Sequence, residues 1–277
     1  MKKIISILLL IAFNFESNAQ VNFSIGKTFY PLTAPGFQTF FTTYNNELAA
    51  DIKTPFKYEF PTATGWSIKG GYLLNKHDDG AGFYYNTTTG VNILKTKNEA
   101  VFTNGESRKT VLHMNEWITD VSLGVGGENF HFAINGTIQL RFNKLFCSYV
   151  YHDGSESFGP EKNLNGIFSA NRLMGGFGAE AGFGIKYLQV VFKAAKIYKP
   201  FEKDGSTYLS YYSDLAGYKA DAGLTGNSSY PAEYMPADYH SFLTDQLTSE
   251  SSNNFVYIND HGWQFGLSLM FIIPTND

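Results

Sequence analysis

The segment Phe130 to Asn143 sets one class of side chain strictly against another. Phe130, Phe132, Ile134, Gly136, Ile138, Leu140 and Phe142 fall on one face, and His131, Ala133, Asn135, Thr137, Gln139, Arg141 and Asn143 on the other. A period of two is the signature of a strand with unlike faces. Seven consecutive dyads exceed the usual globular strand, and continuation through Cys147 to Tyr151 carries the run beyond its apolar zone. Such a strand either buries its apolar face in a core or turns it towards lipid around a polar interior.

Seven other runs share the period. They are Val21 to Phe29, Trp66 to Leu74, Phe83 to Ile93, Glu116 to Val125, Phe168 to Ile185, Gln189 to Ala195 and Trp263 to Ile273. Asn75 to Gly80, Gly126 to Asn129 and Lys186 to Leu188 are short polar connections of hairpin length. The other connections are long, at about 31–64, 96–110, 152–165 and 200–261. Short turns at one end and long loops at the other are expected of a closed antiparallel barrel in an outer membrane, with both termini in the periplasm. An even strand count lets the first strand pair with the last and leaves no backbone edge in lipid. A secreted sandwich or lipocalin-like barrel would also alternate, with its large residues inside.

Export is written at the N-terminus. Met1-Lys-Lys precedes an apolar Ile4 to Phe13, and Ser17-Asn-Ala19 offers small residues for cleavage before Gln20. This predicts a signal peptide over 1–19 and a barrel domain over 20–277. The apolar core is too short to cross a bilayer comfortably as a helix. A formal net charge of -4 disfavours nucleic acid as a partner. The single cysteine, Cys147, excludes an intramolecular disulfide framework.

With the apolar faces turned outward, Lys69, Glu116, Asp120, Arg141, Glu180 and Lys193 point into the lumen. Three acids and three bases can neutralise one another in a narrow interior, which eight strands fill with side chains rather than water. Gly176, Gly178, Gly182 and Gly184 are expected to leave room for the long Arg and Lys side chains. A proton relay or selective pore is the functional alternative to this plug. The histidines lack metal-ligand spacing, and no nucleophile, base and orienter are gathered, so no enzyme, cofactor or metal is predicted. Gly124 to Asn129 is a turn rather than a phosphate loop.

The longest loop is acidic. Residues 201–262 hold nine Asp or Glu against two Lys, together with eight tyrosines. Asp204, Tyr211, Asp214, Tyr218, Asp221, Tyr234 and Asp238 are the candidate interaction surface, since tyrosine offers broad contact with a polar handle. A cap over the barrel mouth is the alternative, and Tyr239 to Leu247 fits one short helix. In the first long loop, Phe37, Phe40, Phe41 and Tyr44 precede a possible helical turn at Asn45 to Ala50. No twelve-residue calcium loop is present.

The signal peptide, the eight dyad runs and the aromatic last strand with Trp263, Phe265 and Phe271 resemble the small OmpA-like and OmpX-like outer-membrane barrels, especially those of Bacteroidota. The chain ends four residues after Ile273, without room for a C-terminal peptidoglycan-binding domain. The resemblance implies an eight-stranded antiparallel transmembrane β-barrel with long extracellular loops, in the outer membrane of a Gram-negative bacterium and surrounded by its lipids. The function expected is a structural or accessory barrel whose loops contact another outer-membrane or surface protein. A small selective channel, an adhesin or ligand-binding barrel, and a lipid-modifying enzyme are the rival classes.

Overall fold

The computed structural model describes residues 19–76, 80–157, 166–199, 206–211, 256–259 and 261–274. The signal-peptide expectation therefore lies outside the described residues, except for Ala19. Eight long strands dominate: β1 (Ala19–Tyr30), β3 (Ala63–Lys76), β4 (Gly82–Phe102), β5 (Ser107–Gly126), β6 (Phe130–Val150), β8 (Gly166–Ile185), β9 (Leu188–Tyr198) and β12 (Gly262–Ile273). Four short strands accompany them: β2 (Ile52–Thr54), β7 (Glu156–Ser157), β10 (Ser206–Tyr211) and β11 (Val256–Asn259). One helix, α1 (Pro35–Glu47), follows β1.

Followed from β11 to β7, the strands form a linear path that alone would describe an open, extended sheet. The β6–β8 pairing removes that opening, in register from Phe130 opposite Phe183 to Cys147 opposite Gly166. First and last strands also pair, from Val21 opposite Ile273 to Phe29 opposite Phe265. The antiparallel order β1-β3-β4-β5-β6-β8-β9-β12 thus returns to β1 and closes a ring. Closure satisfies the backbone groups that an edge strand would leave unpaired.

The expected architecture needs correction outside that ring. Among the described residues the sheet has twelve strands, not eight. Residues 96–110 are not a long loop: β4 and β5 continue to a tight turn, in which Gly105 adopts φ 87° and donates its N–H to the Phe102 carbonyl. The other three expected loops contain α1 and β2, β7, and the β10–β11 pair. The wall is consequently uneven. Strands β4, β5, β6 and β8 have 20 or 21 residues, whereas β1, β3, β9 and β12 have 11 to 14.

The tall strands change character along their length. In β6, Phe132, Ile134, Ile138, Leu140 and Phe142 point outward and are exposed, while Asn135, Thr137, Gln139, Arg141 and Asn143 are buried inside. Two residues on, the outer position is Lys144, and the inner ones become Leu145, Cys147 and Tyr149. Strand β4 makes the same exchange, from outward Ile93 to Lys95 and from inward Asn92 to Leu94. In β5, outward Trp117 gives way to Asn115 and His113, as inward Glu116 gives way to Met114 and Leu112. The period remains two, but the polarity inverts.

Above this inversion lies an ordinary apolar core. Phe37, Phe41, Tyr44 and Leu48 follow helical spacing along and just beyond α1 and are all buried. Pro35 suits the helix start because its missing N–H costs no intrahelical bond there. Phe41 meets Phe56 at 4.7 Å between ring centroids and Phe60 at 5.3 Å, and Tyr44 reaches Phe102 of the tall wall. The helix therefore stoppers the loop end of the barrel. The helical turn expected at 45–50 is the end of this helix, which Leu48 closes by donating its N–H to Tyr44.

Candidate functional site: the luminal charge network

The inward-facing charges form layers. Nearest the loop end, Glu116 accepts from Arg141 Nε at 2.8 Å, with Arg141 Nη2 also 2.8 Å from the same oxygen. Its second oxygen accepts from Asn92 at 2.7 Å and Gln264 at 2.8 Å. Gln139 donates to Gln264, and the Arg141 guanidinium stands 4.5 Å from the Tyr30 ring centroid. The Glu116 and Arg141 side chains are wholly inaccessible. Such a pair persists only because charge and hydrogen bonds offset the loss of water.

The next layer centres on Asp120, which lies 2.7 Å from Lys69 Nζ and 2.5 Å from Lys193 Nζ. Asn22 donates to Asn86, and Asn135 donates to Ser122, filling the surrounding interior. A cavity of about 60 Å³ beside Asp120, Glu180, Lys69 and Lys193 has room for only a few waters.

The layer nearest the turns is built on His131. Its imidazole stacks on Tyr84 at 4.2 Å, with Nδ1 2.8 Å from Gln189 Oε1 and Nε2 3.7 Å from Glu180. Tyr84 donates its hydroxyl to Glu180 at 3.3 Å. The sequence singled out Glu180 but passed over His131, Tyr84 and Gln189. Their signal was present in the inward parity of β4, β6 and β9.

All six charges named from the sequence face the lumen, but the glycine argument is corrected. A Cβ on Gly182 would meet the His131 ring at 2.0 Å, so imidazole rather than Arg or Lys occupies that space. A Cβ on Gly178 would meet the Ala194 carbonyl oxygen at 1.9 Å, so this glycine permits close approach of β9.

At the mouth, Cys147 is fully buried, and burial pushes its thiol up to about 12. A thiol held neutral in this way is a packing group rather than a nucleophile. Burial, followed by hydrogen bonding to Glu106, raises the neighbouring Tyr149 hydroxyl. Among the described residues, no group of three His, Cys, Asp or Glu could hold a metal. An apolar groove lies outside the barrel, with Ala179, Ala181 and Ala194 between Phe132, Phe192 and Phe265.

Asp204, Asp214, Tyr218, Asp221, Tyr234 and Asp238 lie outside the described residues, as does the expected helix at 239–247. Tyr211 ends β10, opposite Phe168. No family model and no curated protein matches the chain. The resemblance to OmpA-like and OmpX-like barrels thus finds no support in any family model or curated relative. The assignment to a Gram-negative outer membrane with periplasmic termini goes with it: it drew on that resemblance and on a loop pattern that the β4–β5 turn breaks. The accessory role, with its envelope-protein partner, rested on the same resemblance and on a surface that lies almost wholly outside the described residues.

Proposed function

We propose that this chain is a sealed, lipid-facing barrel that holds a compact aromatic cap at one boundary of a bilayer. The observation that carries this reading is the polarity inversion within β4, β5 and β6. A side chain faces outward on every second residue throughout, yet the favoured outer residues switch from Ile, Leu, Phe and Trp to Lys, His and Asn. The interior switches in the opposite sense at the same level, to Leu94, Leu112, Met114 and Leu145, before Thr96, Asn98, Thr110 and Arg108 bring buried polar groups back. A wall wholly surrounded by water supplies no reason for exposed apolar groups around the ring, with Ile134 at 71% accessible. A change of outer medium from hydrocarbon to water supplies one.

Dimensions agree. A strand needs about 9–11 residues to cross a bilayer at a tilt. The short wall matches that span, and the tall wall exceeds it by roughly the segment that carries the inverted pattern. No described helix is long and apolar enough to cross a membrane; in this reading the strands are the crossing elements. Trp66, Trp117 and Trp263 are exposed towards the loop-side part of the apolar belt, as suits a membrane interface.

Sealing follows from the three polar layers and the α1 stopper. The test is reconstitution of the full chain into liposomes and planar bilayers. We expect partitioning with detergent and lipid, and retention of a small trapped dye. Recovery in the aqueous phase after detergent phase separation would overturn the lipid-facing part. Sustained single-barrel conductance would overturn the seal.

A further inference from the structure

We infer that the apolar groove on the outer wall seats one phospholipid with an anionic head, its phosphate at Lys27 and its acyl chains against Ala181 and Ala194. The groove follows strand register. Val125, Phe132, Ala181, Phe192, Leu267 and Lys27 stand opposite one another in turn, across β5, β6, β8, β9, β12 and β1. Val125 lies one residue from the turn end of β5, and Lys27 three from the loop end of β1. The row therefore descends obliquely through the belt, with the lysine at its loop-side end.

Size and shape suit such a ligand. Ala179, Ala181 and Ala194 floor a concavity of about 870 Å³, and Phe132, Phe192 and Phe265 stand around it. Pockets for small ligands run from about 300 to 1,000 Å³. Ala181 lies three strand gaps from Lys27, roughly 14 Å at about 4.8 Å a gap. One leaflet is about 15 Å deep, half of a hydrocarbon core of about 30 Å. A chain whose head rests at Lys27 thus reaches the alanine floor within its own leaflet.

Charge identifies the head. Lys27 is exposed, and its outward neighbours are apolar: Ile25 and Phe29 on its own strand, Trp66 and Leu267 across the two adjoining ones. Its ammonium stands 3.7 Å from the Trp66 ring centroid. That ring attracts and aims the ammonium but carries no net charge to cancel it. Lys69, Lys97, Lys109 and Lys193 each lie against a carboxylate, whereas Lys27 meets none among the described residues. An ammonium in a lipid-facing wall is costly without a counter-charge. A lipid phosphate at the level of the exposed indole supplies one.

This inference rests on the lipid-facing reading, and one experiment separates them. Trp117→Phe and Trp263→Phe leave Trp66 as the only indole. The full chain carrying them is placed in phosphatidylcholine vesicles doped with either brominated phosphatidylcholine or brominated phosphatidylglycerol. We expect both to quench Trp66, with phosphatidylglycerol enriched about fivefold by the one lysine. Lys27→Gln should abolish that excess. So should Ala181→Leu with Ala194→Leu, which fills the groove and leaves the charge, while quenching by phosphatidylcholine persists as the mark of an inserted barrel. Lys97→Gln should keep the excess. Equal quenching by the two lipids would overturn the site, as would an excess that survives Lys27→Gln or is lost in Lys97→Gln. Survival of the excess in the filled groove would overturn the seat for the chains. Its removal by inorganic phosphate would overturn the lipid assignment. Quenching by neither brominated lipid would instead bring down the lipid-facing reading.

Discussion

Residues 130–142 and 144–149 of β6 are parts of one unbroken strand, yet they bury opposite kinds of side chain. The first part hides Gln139 and Arg141 and exposes Ile138 and Leu140; the second hides Leu145, Cys147 and Tyr149 and turns Lys144 outward. The backbone period imposes two faces but does not dictate which is apolar. The surroundings make that choice. Within the belt, a polar lumen must satisfy its own charges, whereas beyond it the aromatic cap packs as a water-soluble core does. The two parts should therefore fail differently.

The largest effect is expected in the luminal layer. Glu116→Gln removes the carboxylate that faces Arg141 and leaves a guanidinium buried without its counter-charge. Breaking such a pair costs about 3–5 kcal/mol. Urea unfolding in detergent should show that loss, while the paired change Glu116→Met with Arg141→Met should recover much of it. Should Glu116→Gln unfold at the same urea concentration as the parent, the layer does not hold the barrel together.

Cap damage should remain local. Phe41→Ala removes a ring packed on Phe37, Phe56 and Phe60, at about 3 kcal/mol or more for an aromatic-to-alanine cavity. That loss bears on α1 docking, and Cys147 reports it. The thiol, unreactive in the parent, should become open to maleimide while the barrel still resists unfolding like the parent. If Phe41→Ala lowers the wall's urea midpoint as far as Glu116→Gln, cap and wall form one cooperative unit and the contrast is lost.

Sequence reading reached the inward charges and missed the cap for related reasons. Alternation assigns Lys69, Glu116 and Glu180 to a face without knowledge of the ring. It does not assign partners: Gln264 reaches Glu116 across 148 residues only because β12 lies beside β1 and closes the ring. The inversion in β4 to β6 preserves the period, so an apolar outer face marks the strand ends too early and 96–110 reads as a loop. Helix α1 was legible from Phe37, Phe41, Tyr44 and Leu48, but the aromatic richness of that stretch drew attention to a turn after it. His131 has no partner nearby in sequence, because Tyr84, Glu180 and Gln189 reach it from three other strands.

The smallest expected effect lies at the wet edge of the cap, where Glu156 of β7 meets β6. Burial alone would raise this carboxyl, but hydrogen bonds from Ser148 and Lys109, with the charge of Lys109, together hold it below its ordinary value. A depressed folded-state pKa means that the carboxylate stabilises the fold above its unfolded pKa, near 4.3. That stabilisation fades as pH falls through the folded pKa. Most of the group is solvated, so the contribution is worth less than about 1 kcal/mol. Hydrogen exchange should show the Tyr149–Ser157 and Val150–Glu156 pairings loosening in acid, while luminal amides near Asp120 remain protected. In Glu156→Gln the same edge should be loosened already at neutral pH and lose its acid response. Equal loss of protection near Asp120 over that range would show that the edge does not open independently of the lumen, and would erase the boundary drawn along β6.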